Sequence, residues 1–430
     1  TTSARALPGV AAVYTFDDIA GIARPIPMRM YPLPGLERCL QYPLASDTVR
    51  YVGEPVAVAI AESRYVAEDA LDAIEVVYDP LPAVVDIQQS LQGETLIHEQ
   101  AGTNVPGGFT ISFGGPDEAF RSAEYTRKES FRIHRHTGNP LETRGLVASY
   151  DTEHRDLTVW GPTKVPHFNR GVLAGLLDLP EASIHFIEPD VGGGFGIRGE
   201  FYPEDFLIPW AAIRLGRPVK WIEDRMEHLM AANHSREQLI ELEIASKRDG
   251  TFLALRARVY GNMGGYIRTH GSILASATAK LLPGPYRIPN YECQVHCVLT
   301  NKTGAGTLRA PGRYESCFAR ERLLDMVAAD LKIDPVDLRR KNLVLPSEMP
   351  YEHGVTFPGG DPVVLDSGDY QSALNHVLDR LGYEDLKQRN GSLEAGKYHG
   401  VGFACFVKDT GRGPNEGARV MVNEKGEVSI

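Results

Sequence analysis

Arg309 lies in KTGAGTLRAPGR, residues 302–313, with glycines at 304, 306 and 312. An arginine inside a glycine-rich loop, rather than on a helix face, can aim five donors at a carbonyl oxygen or an anion. The competing interpretation is a solvated or salt-bridged arginine. Two carboxylates are candidates for the same pocket: Glu142, in Asn139-Pro140-Leu141-Glu142-Thr143-Arg144-Gly145, and Glu200. Taken singly, each reads as a surface group. Glu200 follows VGGGFG, in which Gly192, Gly193, Gly194, Phe195 and Gly196 form the most conspicuous stretch of the chain. Adjacent glycines cost backbone entropy, which is tolerable where the chain turns sharply or presses against a ligand. Such a loop between a strand and a helix can offer N–H groups to an anion, although a plain tight turn explains it too.

The elements that position this loop follow from periodicity. An apolar β-prone run at 184–187 precedes it, a helical period runs from about 203 to 215, and a strand follows at 218–222. Earlier, strands are expected at 56–60 and 74–78 around a helix at 64–73, with a proline-rich surface loop at 24–44. Later come strands at 125–136, 146–150, 157–160, 239–246, 251–260 and 291–299, helices at 165–177, 316–331, 335–342 and 370–381, and strands at 401–407 and 418–422. Further glycine-rich loops are expected at 261–265 and 411–417. His134 and His136, two apart, would share a strand face, but a pair lacks the third ligand of a metal site. Cys293 and Cys297 read as small core residues.

The glycine loop is neither a GxGxxG dinucleotide fingerprint nor a P-loop, since Phe195 interrupts it and no Gly-Lys-Ser/Thr follows. No Gly-x-Ser-x-Gly elbow, HExxH or paired CxxC supports a hydrolase, zinc-peptidase or iron–sulfur protein. A chain of 430 residues should divide into two or three domains. A net charge of −11 argues against a nucleic-acid surface. Five scattered cysteines make no disulfide framework, so a reducing, cytoplasmic setting is expected. Both ends read as cut: the first residues as a domain interior, the last as a hairpin barely begun.

The ordered set VRYVGEPVAVAIAESRYVAEDALDAIEVVYDPLPAVVD (49–86), PLETRG (140–145), GPTKVPH (161–167), VGGGFG and TLRAPGRYES (307–316) closely resembles the xanthine dehydrogenase/aldehyde oxidase family. CFARERLLDMVAADLKIDPVDLRRKNL extends the match over essentially the whole chain. It looks like the large molybdopterin-binding subunit of the bacterial multi-subunit members, which include carbon monoxide dehydrogenase-like and N-heterocycle-hydroxylating enzymes. The resemblance implies a mixed α/β (α+β) architecture. A partial α/β hammerhead domain would occupy 1–88, a linker 89–117 and a first molybdopterin-binding domain 118–345. A connection at 346–368 would then lead into the start of a second such domain at 369–430.

It further implies a molybdenum–molybdopterin cytosine dinucleotide cofactor, with no metal ligand from protein side chains. The implied reaction is hydroxylation of an aromatic N-heterocycle or aldehyde with oxygen from water. Electrons would pass to iron–sulfur clusters in a small subunit and FAD in a medium subunit. The backbone of Gly192–Gly196, with Arg309 and Ala310, would border the cofactor; Arg309, Glu200, Lys164 and Glu142 are the catalytic candidates. Three departures qualify this. Lys164 stands where the family's GPTQ has a glutamine that donates to the molybdenum oxo ligand. Ala310 stands where copper-containing carbon monoxide dehydrogenases have cysteine. The family's catalytic glutamate would lie beyond Ile430, so a further chain completing the second domain, or a truncated sequence, is expected. A non-catalytic scaffold of the same fold is the alternative, and a carbohydrate- or peptide-binding protein is a third class.

Overall fold

The computed structural model describes residues 1–30, 32–356, 362–408 and 417–429. A short helix α1 (Thr2–Arg5) leads into β1 (Val10–Thr15) and α2 (Phe16–Ile19), whose first turn is closed by Asp18 accepting from the Thr15 N–H. β2 (Ala57–Ala61) pairs antiparallel with β1, and α3 (Arg64–Asp72), capped by Ser63, buries Ala70 against Ala4 and Val13. The strand expected at 74–78 does not form. β1 and β2 hydrogen-bond only to each other, so this β-prone run meets no ladder and Val77 stays 87% exposed. The proline-rich 24–44 stretch wraps one side of the molecule, tucking Leu33, Leu36 and Cys39 against Met263, Ile267 and Leu299.

Residues 89–117 are not a linker. They include part of α4 (Ile87–Gln92), capped by Asp86, and all of β3 (Gly107–Phe113), an edge strand of the largest sheet. Gly108 lies so close to its neighbour that a Cβ would sit 2.4 Å from the Val295 carbonyl oxygen. Glycine there reflects close packing rather than looseness. After α5 (Pro116–Ser122) comes β4 (Tyr125–Ile133), then a break before β5 (His136–Thr137). His134 and His136 therefore fall on different segments, both exposed, instead of sharing one strand.

A four-stranded sheet follows: β6 (Gly145–Asp151), β7 (Asp156–Trp160), β8 (Ile184–Ile187) and β9 (Val219–Ile222), in the order β8-β7-β6-β9. α6 (Pro166–Leu177) carries the chain from β7 to parallel β8, and α7 (Pro203–Leu215) from β8 to β9. Leu173, Phe206, Leu207 and Trp210 from these helices close the core over Leu146, Leu157 and Val159.

α8 (Arg225–Ala231) and β10 (His234–Ser235), which pairs with β5, lead into the second sheet. Its later strands are β11 (Gln238–Ser246), β12 (Phe252–Gly264) and β13 (Tyr291–Leu299), in the order β3-β13-β12-β11-β4. The helix α9 (Ile273–Leu281) makes the crossover between parallel β12 and β13. Residues 261–264 of the expected glycine-rich loop are the end of β12, with Gly265 just beyond it: Gly264 takes φ 77°, and a Cβ there would lie 2.2 Å from the Thr303 carbonyl oxygen. Long α10 (Arg313–Leu331) and α11 (Pro335–Asn342), capped by Asp334, cover this sheet with Leu323, Leu324, Val327 and Leu338.

The 346–368 connection holds a hairpin, β14 (Tyr351–Thr356) with β15 (Pro362–Leu365), which buries His353 and Val355. α12 (Tyr370–Leu381), α13 (Tyr383–Arg389) and two small hairpins, β16 (Leu393–Glu394) with β17 (Lys397–Tyr398) and β18 (Met421–Val422) with β19 (Val428–Ser429), complete the chain. No strand forms at 401–407. Side chains take the place of a ladder there: Cys405 N–H donates to Glu321 (3.1 Å), Arg320 to the Cys405 carbonyl (2.8 Å) and Arg339 to that of Phe403 (3.1 Å). The loop expected at 411–417 lies outside the described residues except for Gly417.

Candidate functional site

The central loop leaves the carboxyl end of β8 and reaches α7 through a single 3-10 turn, Ile197–Gly199. Buried Arg198 organises it. Its Nε donates to the Gly193 carbonyl (2.8 Å), and one Nη reaches the Glu142 carboxylate (2.6 Å) and the Glu142 and Thr143 carbonyls (3.1 and 3.2 Å). Glu142 also accepts from the Gly192 N–H at 2.8 Å. Glu142 is thereby occupied as a clip that folds the loop onto the NPLETRG segment.

Above this clip the loop is open. Phe195 is 49% exposed and, although not glycine, holds φ 52°. Gly196 holds φ 108°, and a Cβ on it would lie 2.4 Å from the Thr307 carbonyl oxygen. Among the described residues, the N–H groups of Gly193, Gly194, Phe195 and Gly196 donate to no protein acceptor. Unpaired amides gathered in one turn can receive the oxygens of a ligand.

The second loop meets the first directly: the Arg309 N–H donates to the Phe195 carbonyl at 2.7 Å. Ala310 beside it is also left-handed, at φ 62°. Two non-glycine residues in this region, on contacting loops, mark strain that the surroundings must hold in place. Arg236 supplies the hold. Itself at φ 74° and buried, it donates to the carbonyls of Arg309 and Ala310 and pairs with buried Glu315 (3.2 Å). The Arg309 guanidinium is exposed and takes no partner among the described residues.

Glu200 is elsewhere. It is 1% exposed beneath both loops, bonded to Thr269 and His270. Burial alone would raise its carboxyl, but His270, with Arg268 and Thr269, outweighs burial and holds it below the ordinary range. Lys164 borders the loop from the other side. Its N–H donates to the Arg198 carbonyl at 2.8 Å, and its exposed side chain runs alongside Gly199. The structure thus brings Gly192–Gly196, Glu142, Arg309 and Ala310 to one surface, with Lys164 at the rim and Glu200 underneath. Arg198, Arg236, Glu315, His270 and Thr307 were not singled out in the sequence. Arg198, a charge embedded in a glycine-rich turn, carried a local signal; Arg236 carried none.

The donors are amides and a guanidinium, and no three His, Cys, Asp or Glu side chains gather as metal ligands among the described residues. That set fits a group that brings its own ligands and presents oxygens to the protein. The comparisons agree: the family model "Molybdopterin cofactor-binding domain" matches residues 97–343, and "Aldehyde oxidase and xanthine dehydrogenase, a/b hammerhead domain" matches residues 1–82. The chain belongs to the xanthine dehydrogenase/aldehyde oxidase family, among its large molybdopterin-binding subunits.

It is 36% identical over 388 residues to the 6-hydroxypseudooxynicotine dehydrogenase complex subunit gamma of Paenarthrobacter nicotinovorans, covering 90% of this chain and 48% of that protein. It is 35% identical to the nicotine 6-hydroxylase large subunit of the same organism, covering 96% and 50%. Quinoline 2-oxidoreductase from Pseudomonas putida 86 superposes with a TM-score of 0.83 at 34% identity, covering 90% and 49%. The chain spans about half the length of these relatives.

Proposed function

We propose that this chain is the molybdopterin-binding portion of a cytoplasmic molybdenum hydroxylase that oxidises an aromatic N-heterocycle, with an aldehyde as the second substrate class. The observation that carries this reading is the joined pair of left-handed loops, with free amides on one and a free guanidinium on the other. A bound molybdenum–molybdopterin cytosine dinucleotide would supply the redox chemistry, with water as oxygen source. The chain's own residues bind and orient. The Gly194 and Phe195 amides would hold oxygen atoms of the bound cofactor. The Arg309 guanidinium pairs with negative charge developing on a ring nitrogen or carbonyl oxygen. Lys164 offers a further donor from the rim, and Glu142 keeps the amides aimed outward.

The relatives' names favour the heterocycle: two are named for nicotine compounds and one for quinoline. "Complex subunit gamma" and "large subunit" in those names support an assembly. For this chain we place small iron–sulfur and medium FAD-binding subunits beside it, with the remaining half of the molybdopterin-binding region supplied by further polypeptide. The test is metal and nucleotide analysis of the natively purified complex. Stoichiometric molybdenum, with cytosine nucleotide released by acid, is the expected result. An active preparation lacking both overturns the proposal.

A further inference from the structure

Glu200 has a carboxylate next to the cofactor loop in sequence, yet none of it faces the surface. One oxygen accepts from the Thr269 hydroxyl and the other meets His270 Nδ1. At the far side of the imidazole, Nε2 lies 3.4 Å from an Arg29 Nη and 3.0 Å from Thr307 Oγ1. The ring therefore spans from the carboxylate on its Nδ1 side to Arg29 and Thr307 on its Nε2 side. Thr307 Oγ1 also lies 3.3 Å from the Gly196 carbonyl, at the end of the glycine loop, and Thr307 is two residues from Arg309. Arg29 donates to the Gly199 carbonyl as well, at 3.3 Å. The backbone has been thinned to admit this line. A Cβ on Gly306 would lie 2.2 Å from a Glu200 oxygen, and one on Gly199 would lie 3.2 Å from the His270 ring.

The geometry points to Glu200 and His270 as positioning residues: a buried carboxylate–imidazole pair that fixes the register of the glycine loop against the Arg309 loop through Thr307. The inference rests on the proposed function only in taking those two loops as the site. The Glu200–His270–Thr307 line has the composition of a nucleophilic triad. Thr307, however, is buried and directed toward the Gly196 carbonyl, so its hydroxyl holds the loops together and attacks nothing. This role stands in place of the catalytic one implied for Glu200 in the sequence. A carboxylate whose oxygens are taken by a hydroxyl and an imidazole in the interior has nothing left to offer a substrate.

The experiment compares the native complex with Glu200→Ala, Glu200→Gln and His270→Gln, reading amide hydrogen exchange, molybdenum content and steady-state kinetics. Positioning predicts exchange at the hydrogen-bonded amides of Ile197, Gly199 and Arg309 faster by roughly 10- to 100-fold in Glu200→Ala, with α10 and β11–β13 unchanged. It also predicts retained molybdenum, and a fall in kcat while KM stays within about twofold. Glu200→Gln, which keeps an acceptor oxygen in place, should recover most of both effects. If Glu200→Ala does not assemble, the exchange pattern of His270→Gln decides in the same way. A raised KM at parental kcat would overturn the inference in favour of substrate contact. Equal loss of protection across the large sheet would overturn it in favour of a general core role. The exchange readout stands even if the wild-type complex holds no molybdenum, so the two proposals fail separately.

Discussion

The five-stranded sheet is sealed under helices, whereas the four-stranded sheet ends in an exposed rim. Under α10 and α11 the larger sheet buries a continuous apolar core, and even its charges are internally satisfied. Glu321 bonds to Arg320, Arg339 and the Tyr286 hydroxyl at 2.8–3.0 Å. The smaller sheet is equally well packed through its middle, but β7, β8 and β9 finish at one end in Trp160, Ile187 and Ile222, all exposed. The glycine loop springs from that end. The carboxyl ends of parallel strands are where open α/β sheets leave a crevice for ligands. One sheet spends its buried charges on holding elements together; beside the other, Arg198 and Arg236 spend theirs on holding backbone in conformations it would not keep alone.

The largest expected effect breaks the closed region. Glu321→Ala leaves Arg320 and Arg339 buried without their common anion, and should lower unfolding free energy by about 3–5 kcal/mol. The denaturation midpoint measures it, and residues 403–405, which these side chains anchor, should lose exchange protection with it. Arg309→Met should do the converse. Unfolding stays within error of the parent, molybdenum is retained, and kcat/KM falls by roughly 2–4 kcal/mol, less for Arg309→Lys, which keeps the charge but not the planar fork. A molybdenum-replete Met variant with parental turnover would remove Arg309 from the mechanism. Gly196→Ala falls between the two. A Cβ at φ 108° against the Thr307 carbonyl should cost about 1–3 kcal/mol locally and release cofactor before it unfolds the chain, as metal analysis after dialysis would show.

How far this difference could be read from sequence depends on what each part rests on. Strand and helix positions around both loops followed from periodicity, and β13 and α12 agree at both ends, because a buried stripe writes itself into hydrophobic spacing. Glycines misled twice. At 107–108 and 261–264 they mark strands pressed against other backbone, and composition does not separate that from a loop. Residues 74–78 misled in the opposite sense, since β-prone residues form a strand only where a neighbour offers a ladder. In the site, family motifs located the loops and Arg309. They could not show that Glu200 points inward, because one turn of chain after Gly199 decides it. Nor could they show Arg236, whose contact with Arg309 spans 73 residues.

The smallest effect sharpens the comparison through pH. At the first turn of α7, burial pushes the Asp205 carboxyl from 3.8 up to about 7, against the stabilising bond it accepts from the Tyr202 N–H at 2.8 Å. Between about pH 4 and pH 7 the folded chain therefore binds more protons here than the unfolded one, and stability falls as pH rises through that window. In the hairpin beside the larger sheet the sign reverses. Burial pulls His353 on β14 from 6.5 down to about 4, so the folded chain binds fewer protons there and stability rises over nearly the same window. Asp205→Asn keeps the acceptor for Tyr202 and removes the falling component. Its stability relative to the parent should improve by on the order of 1 kcal/mol from about pH 4 to pH 7. His353→Gln should shift the balance the other way by a similar amount. Urea midpoints of the two variants across that range are the measurement. Parallel curves for Asp205→Asn and the parent would mean that Asp205 ionises in the fold as it does in the open chain, and that burial at the root of the site is less costly than the geometry implies.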